Sequence, residues 1–146
     1  IWARFRGFTP DPTAGFNCEF NRLARHMRGK WSREGRRDWR VKLFDADWKY
    51  YIGSDLWDLA AWQEFCHLCS IIPIPDTIPG CMEVLSEVLV NIYDLLDSQR
   101  NGSAVKVFDT FEELREYTVP SRQYPINEAK EDTFLPIFLK DFRRDE

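Results

Sequence analysis

Residues 32–53, SREGRRDWRVKLFDADWKYYIG, predict a helix with apolar residues on two of its sides. Ser32 is a suitable N-cap, the helix begins between residues 32 and 38, and it continues to Ile52 before Gly53. One stripe at helical spacing contains Trp39, Leu43, Ala46 and Tyr50. A second stripe, about 150° away, contains Val41, Phe44, Trp48, Tyr51 and Ile52. A small domain buries both stripes only if the helix is packed between neighbours; otherwise one stripe is available to a partner.

The start of this helix lies in a segment with a large excess of positive charge. Between residues 22 and 42, nine Lys/Arg accompany two acids, a formal +7 within a chain of net charge −4. Cations at a helix N-terminus oppose the macrodipole, so either Arg33, Arg36 and Arg37 serve something other than helix stability, or the helix begins later. They could contact a protein, contact nucleic-acid phosphates, or face the chain's own acidic helix.

Apolar spacing and capping residues predict further helices on both sides of this stretch. Their ranges are about 13–28, 55–70, 77–98, 110–117, and a last helix that begins near 127 or 133 and ends by 142. Residues 1–12 are predicted to be extended or irregular, and residues 71–76 to form a loop because of two prolines. Residues 104–108 are predicted to form a short strand or an extended segment. We therefore expect a mainly α fold, a single compact domain over residues 1–146 with five to six helices and at most one short strand.

Two of these helices have informative faces. The helix at 55–70 is apolar over more than half its circumference, with Trp57 and Trp62 among its apolar residues, and is expected in the core. The helix at 77–98 has an apolar half and an acidic half. The acidic half contains Glu83, Glu87, Asp94 and Asp97. It is either a solvated face or a surface that docks the basic helices, from this chain or from another one.

No catalytic or metal-binding motif emerges from the sequence. Cys66 and Cys69 have the spacing of a metal knuckle, but on a helix they share the apolar side while His67 lies opposite, which predicts buried thiols. The seven glycines are scattered, and neither histidine has the spacing of a catalytic triad. We expect no enzyme activity, no metal and no cofactor. Four scattered cysteines suit a reducing compartment, the cytoplasm or nucleus, and no apolar run is long enough to predict a membrane partner.

Five segments occur in a characteristic order along the chain. They are AGFNCEFNRLA (14–24), WQEFC (62–66), PIPDTI (73–78), VNIYDL (90–95) and FEELREYT (111–118). This arrangement resembles a set of small proteins abundant in filamentous fungi, and the resemblance covers nearly the whole chain. It implies a fungal, intracellular protein, and it implies no activity and no catalytic residues.

The sequence favours a protein–protein interaction module that binds through a Trp- and Arg-rich helical surface. An exposed stripe of Trp, Leu and Tyr beside arginines has the composition of a binding hot spot. The candidate partner-binding residues are Arg33, Arg36, Arg37, Trp39, Arg40, Leu43 and Tyr50. An acidic protein surface would match the arginines. The alternative is a domain that binds RNA or single-stranded DNA through residues 22–42, which a sequence pI of 5.3 disfavours. The oligomeric state is left open.

Overall fold

The computed structural model describes residues 1–119 and 134–140. Within these residues the chain is mainly helical, with seven α-helices, a 3-10 helix at Trp2–Arg4 and no β-strand. The helices are α1 (Phe16–His26), α2 (Arg33–Tyr51), α3 (Leu59–Leu68), α4 (Ile78–Glu87), α5 (Ile92–Asn101), α6 (Phe111–Thr118) and α7 (Leu135–Phe138). The predicted fold class is confirmed.

The chain divides into two compact units. The first unit is Ile1–Gly53 with Leu96–Ser103, and the second is Ser54–Leu95 with Ala104–Glu146. The second half of α5 thus belongs to the first unit and its first half to the second. The expectation of one domain over residues 1–146 stays a prediction.

Local sequence signals place α2 and α6 correctly. The Ser32 hydroxyl accepts a hydrogen bond from the Gly35 N–H at 2.9 Å, and α2 ends at Tyr51, two residues before Gly53. Gly53 has a positive φ of 92°, a conformation that glycine adopts without steric cost. In the same way, the Thr110 hydroxyl accepts from the Glu113 N–H at 3.2 Å at the start of α6. Both helices begin where a capping side chain is available.

The predicted helix at 77–98 is wrong as one continuous element, because the chain leaves the helical conformation between α4 and α5. Val88 is extended, and the Leu89 carbonyl accepts from the Phe108 N–H at 2.9 Å. Val90 forms an isolated antiparallel bridge with Val107, which is all that the described residues show of the predicted strand at 104–108. These long-range backbone hydrogen bonds replace the helical ones, and β-branched valines suit an extended conformation.

The remaining helices differ from prediction mainly at their ends. α1 begins at Phe16, and α3 begins at Leu59 with Asp58 as its N-cap, so Trp57 lies outside the helix and is 89% exposed instead of buried. In the last predicted helix, the described residues place α7 at Leu135–Phe138, with Pro136 in its first turn. The proposed start at 127 or 133 and the end at Phe142 lie outside the described residues.

Aromatic side chains and a buried ion pair hold the first unit together. Phe16 and Phe20 of α1 and Phe44 and Trp48 of α2 are fully buried and in ring contact along this core. Burial of each such side chain stabilises the fold by roughly 1.5–3 kcal/mol.

Beside this core, the Asp47 carboxylate of α2 forms an ion pair with Arg100 of α5 and accepts from Trp2 Nε1 at 2.9 Å. Arg100 also donates to the backbone carbonyls of Ala14 (2.9 Å) and Asp11 (3.2 Å). Burial raises the pKa of Asp47, and the Trp2 and Arg100 hydrogen bonds oppose this shift. The pair thereby joins α2, α5 and the N-terminal segment.

The second unit has a core of cysteines and phenylalanines. Cys66 on α3 and Cys81 and Leu85 on α4 are completely buried. Phe65 of α3 packs on Phe134 and Phe138, with ring centroids 5.1 and 4.9 Å apart. The cysteines behave as small apolar residues, as the helical wheel predicts.

Candidate protein-binding surface

The fold buries part of each apolar stripe of α2, instead of burying one stripe and exposing the other. The residues that α2 buries are Leu43, Phe44, Asp47 and Trp48, a contiguous face that takes one residue from the first stripe and two from the second. Leu43, which sequence analysis places on the candidate surface, is completely buried and cannot contact a partner in this structure. A stripe contains only apolar residues by definition, whereas the buried face also includes the ion-paired Asp47.

Trp39 is half-buried in an aromatic cluster instead of standing free on the surface. Its ring stacks on Trp31 at a centroid distance of 6.1 Å and meets the edge of Phe5 at 5.0 Å. The Arg4 guanidinium lies 5.1 Å and the Lys42 ammonium 4.9 Å from the Trp39 ring centroid. Cation–π contacts of this kind stabilise the cluster and cover part of the ring.

Arg36 and Arg40 connect α2 to α1. Arg36 donates to Asn21 Oδ1 at 3.4 Å, and Arg40 donates to Asn17 Oδ1. Both guanidinium groups also lie over the buried Phe20 ring, at 6.0 and 5.3 Å from its centroid. These two arginines therefore have a structural role between the helices, which leaves less of each side chain for a partner.

Arg33 and Arg37 are the candidate residues whose charge is uncompensated. Both are exposed, and within residues 1–119 and 134–140 neither makes a hydrogen bond, ion pair or ring contact through its side chain. They are four residues apart on α2, so they lie on one face, about 6 Å apart along the axis. Glu34 and Asp38, also exposed, form no ion pair with them in the described chain. This Arg33/Arg37 pair is the part of the predicted site that a partner can reach.

Tyr50 is exposed but lies at the other end of α2. Its side chain is 81% exposed and meets only the edge of Tyr51, at 4.8 Å between ring centroids. Thirteen residues separate it from Arg37, about 20 Å along the helix. One small partner surface would not cover both.

Three residues near the candidate surface were missed by sequence reasoning about α2. Trp31 stacks on both Phe20 and Trp39, and Arg4 and Lys42 contact the Trp39 ring. Trp31 and Lys42 belong to the basic segment 22–42, so their position in the sequence indicated that they lie near the candidate surface. Arg4 comes from the N-terminal segment, and no local pattern links it to Trp39.

Charge is distributed unequally between the two units. The first unit has thirteen Lys/Arg and seven Asp/Glu, a formal +6, whereas the second has seven Lys/Arg and seventeen Asp/Glu, a formal −10. Residues 54–95 contain seven acids and no Lys or Arg. The first unit, taken by itself, therefore has an excess of positive charge, and the second an excess of negative charge.

The thiols and acids form no metal centre in the part of the chain that the structure describes. No group of three or more His, Cys, Asp or Glu side chains there could hold a metal ion. Burial raises the pKa of Cys66 and of Cys69 to about 12, so both thiols stay protonated at neutral pH. Cys18 is exposed on α1.

Comparison with known proteins identifies no relative from which a function can be transferred. No family model, curated protein or solved structure matches the chain. The resemblance to small proteins of filamentous fungi stays a prediction. Among the described helices, none is long and apolar enough to cross a membrane.

Proposed function

We propose that the first unit is a protein-interaction module that binds an acidic protein surface through the exposed arginines at the start of α2. The observation that carries this proposal is the Arg33/Arg37 pair, two exposed cations without a partner among the described residues. Arginine is enriched in protein interfaces, where its planar group binds carboxylates with two hydrogen bonds. Two such groups one turn apart donate hydrogen bonds in a fixed direction and suit a pair of carboxylates, which accept them.

Neighbouring cations extend this surface beyond α2. Arg25 and Arg28, at and after the end of α1, and Lys30, in the connection to α2, are exposed and form no ion pair in the described chain. Their combined field raises the local concentration of an acidic partner and accelerates association. The half-buried Trp31 adds apolar area at the margin of the basic surface.

An acidic protein fits these features better than a single-stranded nucleic acid. Base-stacking platforms need accessible aromatic faces, but Trp31 already stacks on Phe20 and Trp39, and Trp39 is partly covered by Arg4 and Lys42. The whole chain is also acidic, with a second unit of formal charge −10, which disfavours a long polyanion. A short acidic protein segment encounters less of that repulsion.

The proposal is tested by fluorescence anisotropy with a labelled poly-glutamate peptide, and in parallel with a labelled single-stranded oligothymidine of similar length. We expect the peptide to bind in a salt-dependent manner. Arg37→Glu should weaken it by about fivefold, the upper range for one exposed charge pair.

Lys49→Glu is the matched control, because Lys49 is exposed on the same helix and the change in net charge is identical. It lies twelve residues from Arg37 and should leave peptide affinity unchanged. Equal losses in the two variants would show only a general charge effect and contradict a localised surface. Tighter binding of oligothymidine than of the peptide would favour the nucleic-acid alternative.

A further inference from the structure

We propose that the acidic partner is a second copy of this chain, whose α4 presents Glu83 and Glu87 to the Arg33/Arg37 pair on α2. This inference rests on the proposed function and names the surface that the arginines bind. Each copy then contributes a basic α2 surface to one contact and an acidic α4 surface to another.

The exposed face of α4 is well suited to this contact. Cys81 and Leu85 are buried on one side of the helix, whereas Glu83 and Glu87 are exposed on the other, together with Met82, which is 40% exposed. Neither glutamate forms an ion pair or hydrogen bond through its side chain within the described residues. The face therefore combines uncompensated negative charge with an apolar side chain.

The spacing of the charges on α4 matches the spacing on α2. Glu83 and Glu87 are four residues apart, as are Arg33 and Arg37, so each pair extends about 6 Å along its helix. In an antiparallel arrangement of the two helices, Arg33 meets Glu87 and Arg37 meets Glu83. Charge pairs of this type set partner choice and orientation between packed helices.

A second acidic pair, Glu112 and Glu116 on α6, has the same spacing but a different surrounding. Arg115 lies between these two glutamates in the sequence, directly before Glu116, and Lys106 lies 5.6 Å from the Tyr117 ring centroid. Near α4, the Lys140 ammonium donates to the Ser86 carbonyl at 2.7 Å without pairing with either glutamate. The α4 pair lies in the stretch 54–95, which lacks Lys and Arg, and is therefore the more attractive site for arginines.

Self-association is preferred over a different acidic protein because of the chain's own charge complementarity. The first unit has a formal charge of +6 and the second of −10, so both halves of the contact are present at equal concentration in any solution of this protein. Contacts built from exposed ion pairs are weak and are screened by salt. The expected association is therefore concentration-dependent at low ionic strength and lost at high ionic strength.

Sedimentation velocity over a concentration series tests this with two charge-reversed variants, R33E/R37E and E83K/E87K. Wild-type protein should show a weight-average sedimentation coefficient that rises with concentration at low salt, and each variant alone should lose the rise. An equimolar mixture of the two should recover it, since each variant then meets an oppositely charged partner helix. Recovery also shows that both variants are folded.

E112K/E116K is the matched control, with the same change in charge at the same spacing on α6, and it should associate like wild type. A wild-type coefficient that does not vary with concentration overturns this inference. So does association that persists in R33E/R37E, or that is lost equally in E112K/E116K. If the poly-glutamate peptide still binds while copies do not associate, the proposed function stands alone; if neither occurs, both proposals fail.

Discussion

The two units bury polar groups in different ways. Among the described residues, those buried with a formal charge all belong to the first unit: Glu19, Asp47 and Arg100. The buried polar residues of the second unit are the neutral Asn91 and Thr118, whose side chains hydrogen-bond to each other at 3.1 Å. Among the described residues, the first unit thus pairs selected acids in its interior, whereas the acids of the second unit lie outside an uncharged core.

This difference has an energetic consequence. A buried charge is tolerated only while its partner is present, because the desolvation penalty is otherwise uncompensated. Glu19, for example, is paired with Arg22 at 2.8 Å, and Arg22 in turn donates to the Thr9 carbonyl at 2.7 Å. We therefore expect the first unit to be most sensitive to loss of a charge and the second to loss of apolar volume.

The largest effect is expected from Asp47→Ala. It leaves the buried Arg100 guanidinium without its counter-ion and Trp2 Nε1 without its acceptor, and removal of one partner of a buried pair costs about 3–5 kcal/mol. Urea denaturation followed by circular dichroism measures the change in free energy of unfolding. Asp38→Ala, an exposed position on the same helix, should change it by less than about 0.5 kcal/mol. Equal effects would remove the distinction between buried and exposed acids.

In the second unit, Leu85→Ala should destabilise by about 2–5 kcal/mol, because it opens a cavity beside fully buried side chains on α4. The same denaturation measurement applies. Met82→Ala on the same helix is the control, since Met82 is 40% exposed and its truncation leaves a smaller cavity. If Met82→Ala cost as much as Leu85→Ala, the assignment of the buried side of α4 would be wrong.

A smaller effect is expected from the local cap of α2. Ser32→Ala removes the acceptor for the Gly35 N–H and should cost about 1 kcal/mol. Ser54→Ala, at an exposed position outside any helix, should be neutral within about 0.5 kcal/mol. A neutral Ser32→Ala would indicate that packing alone determines where α2 begins.

The smallest perturbation is chemical labelling of thiols in the native protein. Cys18 is exposed and should react with a thiol reagent at once, whereas the buried Cys66, Cys69 and Cys81 should react only on unfolding. Mass spectrometry counts the labels. Rapid labelling of more than one thiol in the folded protein would contradict the buried cysteine core.

The raised pKa values of Cys66 and Cys69 also predict a pH dependence of stability. From the ordinary value of 9.0, each is raised to about 12 in the fold, so the unfolded chain loses these protons first as the pH rises. The stability contributed by the two thiols is complete below pH 9 and is lost as the pH rises towards 12. The urea concentration at the unfolding midpoint should be lower at pH 10 than at pH 8, and Cys66→Ala should reduce this difference.

Local signals in the sequence were sufficient to predict much of the helical content. Ser32 caps α2 as expected, Thr110 caps the helix predicted at 110–117, and the cysteines of α3 lie on its buried side as the helical wheel predicts. The candidate site was predicted less well. Arg33 and Arg37 are exposed as expected, but Leu43 is in the core, and Arg36 and Arg40 bind asparagines of α1.

The missing information concerns partners that are distant in sequence. Gly15, which precedes α1, has no side chain to cap it; instead Asp97 accepts from the Phe16 N–H at 2.8 Å, across 81 residues. An added Cβ on Gly15 would lie 2.9 Å from the Asp97 carboxylate, which explains the glycine. Asp97 was predicted to be part of an acidic surface, and periodicity cannot distinguish a solvated carboxylate from one that caps another helix.

The sequence by itself determined the helical class of this protein, the capped starts of α2 and α6, and the segregation of positive charge near α2, because these depend on residues within a few positions of one another. The tertiary structure alone determined the break between α4 and α5, the burial of Leu43, and which arginines of α2 bind asparagines of α1. The break between α4 and α5 involves the hydrogen bond from Phe108 to Leu89, and the pairing of Arg36 and Arg40 involves the asparagines of α1. Such contacts form only when segments far apart in the chain are brought together, and a local pattern does not record them.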